Sequence, residues 1–143
     1  MRQECAAILG DPAVQAALSL AWADSQPGTT NAHEEGGCIL RDETGKLTVV
    51  RWPRGSPRSI LMPSHTGCRI GEKHIAATFH THPNLGSDYL QEPGETDRRA
   101  VRDDPDLKGE FYAGEFVICH ARTYLIAPNG QVIEVGATTF LLS

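Results

Sequence analysis

Residues 75–83 read Ile75-Ala76-Ala77-Thr78-Phe79-His80-Thr81-His82-Pro83. The run over 75–81 reads as a buried strand, and Pro83, which has no N–H to give to a ladder, stops it. Side chains at i and i+2 of a strand share a face. His80 and His82 therefore lie on one side of the strand end, at a spacing that lets both imidazoles bind one metal ion.

On the N-terminal side, Gly37 to Arg41 and Leu47 to Trp52 are short apolar or β-branched runs separated by Asp42-Glu43-Thr44-Gly45, the pattern of a hairpin. Before them, Asp11-Pro12 opens a helix: Asp caps free N–H groups and Pro suits the first turn. Val14, Ala17, Leu18, Ala21 and Trp22 recur at helical spacing to about Asp24, and residues 25–33 read as a loop. Residues 53–58, with two prolines and a glycine, predict an irregular connection. On the C-terminal side, residues 83–94 are a loop rich in turn formers. Glu95 to about Asp103 is a short helix, acidic first and basic later, which suits the macrodipole. Phe116 to His120, Arg122 to Ala127 and Gln131 to Val135 predict strands, the last two joined at Pro128-Asn129-Gly130. This order predicts a mixed α/β (α+β) fold with one central sheet and a helix on at least one face. Without repeats or a compositional break, residues 1–143 read as a single domain.

A chain of 143 residues should bury roughly 70% of its unfolded surface, enough for a core without disulfide or metal staples. Its 40% hydrophobic and 22% charged residues argue against a disordered chain. A net charge of −5 with no Lys/Arg-rich block argues against a nucleic-acid partner. No apolar run reaches the roughly 18 residues of a bilayer span, and no leader pattern opens the chain. A cytoplasmic protein without a membrane partner is expected. Cys5, Cys38, Cys68 and Cys119 are far apart, with no C-x-x-C, and are expected to be reduced, mostly buried thiols rather than metal ligands.

Two histidines need a third ligand, and Asp97, in the first turn of the 95–103 helix, is the choice. His, His and Asp with one open position describe a catalytic rather than a structural zinc site. Such a site needs a base, and Glu34 or Glu35, just before Cys38-Ile39-Leu40, is suitably located. Each residue alone has an ordinary explanation: hydrogen-bonded histidines, a solvated strand entry, a helix first-turn charge. Their combination in this order favours a site.

The combination resembles the JAMM metalloproteases, the catalytic members of the MPN-domain family, whose pattern is Glu, then H-[ST]-H-P, then S-x-x-D. Glu34-Glu35-Gly36-Gly37-Cys38-Ile39-Leu40 resembles the family's E-x-x-G-x-L segment, and Gly37, three residues on, selects Glu34 over Glu35. Thr78-Phe79-His80-Thr81-His82-Pro83 matches the strand running into H-T-H-P, and Pro93-Gly94-Glu95-Thr96-Asp97 resembles P-S-x-x-D. The resemblance spans about residues 10–135. It implies an MPN, cytidine-deaminase-like sheet flanked by helices, with Zn2+ held by His80, His82 and Asp97 and Glu34 as general base. It also implies hydrolysis of a peptide or isopeptide bond at the tail of a ubiquitin-like protein or its conjugate. Ubiquitin-transfer-like operon partners, including those of antiphage systems, belong to the same implication. A zinc peptidase acting on a sulfur-carrier or cell-wall peptide, or a non-catalytic MPN-type interaction module, is the alternative.

The chain departs from the pattern twice. The family's oxyanion-stabilising Ser aligns with Gly94, leaving Ser87, Thr96 or water for that role. The gap from His82 to Asp97 is also longer, which keeps Asp88, Glu92 and Glu95 as alternative ligands. Within the inserted stretch, Tyr89 and Leu90 are candidate substrate contacts, or they pack the loop against the body.

Overall fold

The computed structural model describes residues 3–142. Two helices, α1 (Gln3–Gly10) and α2 (Pro12–Asp24), come first. The Asp11 carboxylate caps α2, accepting from the N–H groups of Ala13 and Val14 at 3.0 and 3.2 Å. The hairpin β1 (Gly36–Arg41) and β2 (Leu47–Arg51) follows. One oxygen of Asp42 gathers the N–H groups of Thr44 and Lys46 in its turn, and Gly45 takes the positive φ of 88° that the turn requires. The irregular stretch beyond Arg51 leads to β3 (Arg69–Ile70) and β4 (Lys73–Thr81). Next come α3 (Glu95–Arg102), a 3-10 turn (Pro105–Leu107), β5 (Glu115–Ile118), β6 (Arg122–Ile126), β7 (Val132–Ala137) and α4 (Thr138–Leu141).

The strands form one mixed sheet in the order β2-β1-β4-β5-β6-β7, with β3 paired to the start of β4. Only β4 and β5 run parallel, and the crossover between them contains α3. In open α/β sheets, ligands bind beyond the carboxyl ends of parallel strands. His80 and His82 occupy that end of β4.

Both faces of the sheet are covered. Val14, Leu18 and Ala21 of α2 and Ile8 of α1 pack with Ile39, Phe79, Phe116 and Ile118 on one face. Cys38, Leu40, Val117 and Ile126 face the other way, under Val101 of α3, Leu107 and Trp52. The strict alternation of Ile39 against Cys38 and Leu40 is the strand period expressed as two cores. Gly37, paired with Phe79 across β1 and β4, leaves room for that ring, since a Cβ there would lie 2.8 Å from it. The result is a single compact α+β domain with seven strands and four helices among the described residues.

The sequence reading agrees with the elements that carry strong caps or periodicity. Differences lie at ends and in short pieces: β5 starts one residue earlier, at Glu115, and stops at Ile118, and β7 runs on to Ala137. The helices α1 and α4, the two-residue β3 and the 3-10 turn were not expected, being too short or too weakly patterned to read alone. All four cysteines are free and buried. Among the described residues, no single helix is long and apolar enough to cross a membrane.

Candidate metal centre

The end of β4 is held from both sides. The Thr81 N–H donates to the Glu35 carbonyl at 2.9 Å, and the His82 N–H donates to the Ile118 carbonyl at 2.8 Å. Strand alternation turns His80 and His82 toward α3 and sends Thr81 to the α2 face. There the Thr81 oxygen lies 2.6 Å from Ser25 Oγ and accepts from the Glu35 N–H at 3.0 Å. Because Ser25 Oγ donates to the Ala21 carbonyl, the Thr81 hydroxyl is the donor to Ser25. The middle residue of His-Thr-His thus pins the strand end to the last turn of α2.

On the other face, His80 Nε2 and His82 Nε2 are 3.1 Å apart. Asp97, in the first turn of α3, brings Oδ1 to 3.2 Å from His80 Nε2 and Oδ2 to 3.3 Å from His82 Nε2. The Asp97 carboxylate is itself oriented by the Gly94 N–H, 2.9 Å from Oδ2. A tetrahedral zinc site with bonds of about 2.0–2.1 Å has ligand-to-ligand edges of roughly 3.3–3.4 Å. The His80–His82 separation is close to one such edge, and each Asp97 oxygen lies at a similar distance from one imidazole, so the two histidines and a carboxylate leave room for a small divalent ion. Glu34 completes the cluster: a buried Glu34, His80 and His82 group, its ligand atoms all within 4.8 Å of one another, could hold a metal ion.

Glu34 precedes β1 and is fixed through its backbone, which donates to the Ser56 carbonyl and accepts from the Gly55 N–H, both at 2.9 Å. Burial pushes its carboxyl up to about 7; the neighbouring histidines oppose this, and Asp97 and Glu115 add to it. Burial also acts to raise Asp97, but its bonds to His80 and His82 outweigh burial and hold it well below the usual carboxylate range. The two acids therefore differ in kind, Asp97 held ionised and Glu34 raised toward neutrality. That is the pattern of a ligand beside a proton carrier.

Glu35 has other partners. Its carboxylate takes His33 Nε2 and Arg51 Nη2, both at 2.6 Å, and Arg51 continues to Asp24 at 3.1 Å. Of the alternatives to Asp97, Asp88 and Glu95 line a cleft beside His82, but the ion pairs to His80 and His82 are made by Asp97. Glu95 pairs with Arg98 and Arg99 on the outside of α3, and Asp88 and Glu92 are exposed.

The stretch 83–94 folds beside the centre. The Leu90 carbonyl lies 3.2 Å from His82 Nδ1, and the Arg58 guanidinium stacks 4.7 Å from the Tyr89 ring. Arg58, Tyr89, Leu90 and Thr96 line a cleft of about 320 Å³ that reaches His82 and Asp97. Tyr89 and Leu90 therefore border the site, with the Leu90 side chain 57% exposed. Of the hydroxyls considered for the oxyanion, Thr96 lines this cleft, whereas Ser87 is exposed and lines no part of it. A Cβ on Gly94 would come 2.7 Å from Leu90 Cδ1, so Leu90 occupies the space that a side chain at 94 would need.

One residue of the centre lies outside the motif. Glu115 Oε2 is 2.7 Å from His80 Nδ1, both side chains being buried. The only sign of it in the sequence is an acid opening the apolar run Phe116-Val117-Ile118. Comparison with family profiles, with curated proteins and with solved structures finds no match.

Proposed function

We propose that this chain is a zinc-dependent peptidase of the JAMM type, cleaving a peptide or isopeptide bond at the tail of a ubiquitin-like protein or its conjugate. The observation that carries the reading is the buried group of Glu34, His80 and His82, with Asp97 reaching both imidazoles at 3.2 and 3.3 Å.

His80, His82 and Asp97 would hold the ion. Zinc at such a site would supply Lewis acidity, lowering the pKa of the attacking water toward about 7 and polarising a carbonyl oxygen. Glu34 does the proton work: its carboxylate takes a proton from the attacking water and returns it to the leaving amine. Burial keeps that carboxylate near the affinity this exchange needs, and the Ser56 and Gly55 backbone bonds hold it in reach. Thr81, through Ser25, keeps both imidazoles facing α3. Gly94 carries no hydroxyl, and the Thr96 side chain at the cleft is the donor available to a developing oxyanion. The narrow cleft between Arg58, Tyr89 and Thr96 suits an extended, small-residue tail better than a folded surface.

The test is hydrolysis of ubiquitin-like fusions by protein of measured zinc content, with chelated protein as control. Glu34→Gln should keep the metal and lower turnover by at least about 100-fold. His80→Ala should lose the metal in elemental analysis. Zinc-loaded protein that cleaves none of the ubiquitin-like, sulfur-carrier or cell-wall peptide fusions overturns the enzymatic reading.

A further inference from the structure

We infer that Glu115 is a positioning residue for the metal centre: it holds the proton of His80 on Nδ1, so that Nε2 faces the ion. The inference rests on the metal-binding reading above and deepens it.

The parallel pairing of β4 and β5 sets Glu115 opposite Thr78 and Val117 opposite His80. Thr78, His80, Glu115 and Val117 consequently share the α3 face, with Glu115 diagonal to His80. Its carboxylate reaches past the strand to His80 Nδ1 at 2.7 Å. Glu115 is 6% exposed, and among the described residues its one ion pair is with that imidazole. A carboxylate withdrawn from water needs a strong donor, and a structural role would be served by any Lys or Arg nearby. None pairs with it. What Glu115 has instead is a ring that can offer one N–H, at Nδ1, while its Nε2 faces His82 and Asp97. Both ring nitrogens face carboxylates, so it is an ion between Nε2, His82 and Asp97 that would claim the Nε2 lone pair, and the remaining proton then lies on Nδ1, where the shorter contact to Glu115 receives it. The same contact raises the basicity of the ligand nitrogen.

The two histidines are then supported unequally. His82 Nδ1 meets the Leu90 carbonyl at 3.2 Å, a neutral acceptor on an exposed loop, whereas His80 has a buried anion on the central sheet. With Asp97, Glu115 also brings the fixed negative charge around the two imidazoles to that of a divalent ion. On this account His80 is the anchored ligand and Glu115 the reason.

Zinc and cobalt(II) affinities would be measured by chelator competition for native protein and Glu115→Gln. Side-chain 1H–15N spectra of zinc-loaded native protein would report which His80 nitrogen carries the proton. Native protein should bind either ion, with the His80 proton on Nδ1. Glu115→Gln should bind about 10–100-fold more weakly and change the cobalt visible spectrum. A folded Glu115→Gln protein with native affinity and spectrum overturns the inference while leaving the metal centre standing. If that variant does not fold, the native spectra decide, and a His80 bonded to zinc through Nδ1 overturns it. Native protein that binds neither ion overturns the metal reading itself.

Discussion

Glu34 and Glu35 are adjacent in the chain, equally buried and chemically identical, yet they have opposite surroundings. Glu35 sits between His33 and Arg51, a paired charge, and Glu34 is a carboxylate without a permanent cation beside it. Removing each should therefore fail differently. Glu35→Gln breaks a buried ion pair and should destabilise the fold by about 3 kcal/mol, read as a lower midpoint in urea, while turnover per folded molecule stays within a few-fold of native. Glu34→Gln should abolish turnover with stability held or raised. For the metal-free protein the sign is explicit: the Glu34 carboxyl rises from its usual 4.5 to about 7 on folding. Between those values the folded state keeps a proton that the unfolded chain has released, so this residue destabilises progressively as pH rises. The stability advantage of metal-free Glu34→Gln should grow from pH 5 to pH 7 and then level off. An advantage that shrinks over that range would show that Glu34 is paired, not poised.

Among the elements, α2 and α3 do different jobs with similar starts. The Asp11 cap of α2 carries stability alone, and Asp11→Ala should cost about 1 kcal/mol without touching the metal centre. In α3 the first-turn acid Asp97 bonds back to the Gly94 N–H and also meets both histidines, so the helix start and the site share one carboxylate. Gly94 has a φ of −88°, open to any residue, and its neighbour Leu90 is an exposed tip that can turn aside. Gly94→Ser should therefore fold with stability within about 0.5 kcal/mol of native, by denaturant titration. A larger loss would mean that the 83–94 stretch is packed more rigidly than the exposure of Leu90 indicates.

For the whole molecule, two apolar layers close over the sheet without any contribution from the centre. Chelation should leave far-ultraviolet dichroism and a cooperative thermal transition intact. Zinc at 100-fold over its Kd should then add about 2.7 kcal/mol, seen as a rise in Tm. A chain that unfolds on chelation would instead be a zinc-stapled domain, contrary to the buried core.

The amino-acid sequence by itself determined what depends on period and local chemistry. Strand alternation alone brings His80 and His82 to one face, and caps and turn residues alone mark α2, the hairpin and α3. Asp97 was legible as a candidate ligand through the family resemblance, since the helix start offers Glu95 as a first-turn acid as well. Only the tertiary structure decided what depends on distance between elements. That Ser25 holds Thr81 and that Glu115 reaches His80 follow from pairings between segments dozens of residues apart, whereas Glu34 was singled out from Glu35 by the position of Gly37. Periodicity tells which way a side chain faces; the register of β1 and β5 on β4 tells what it finds there.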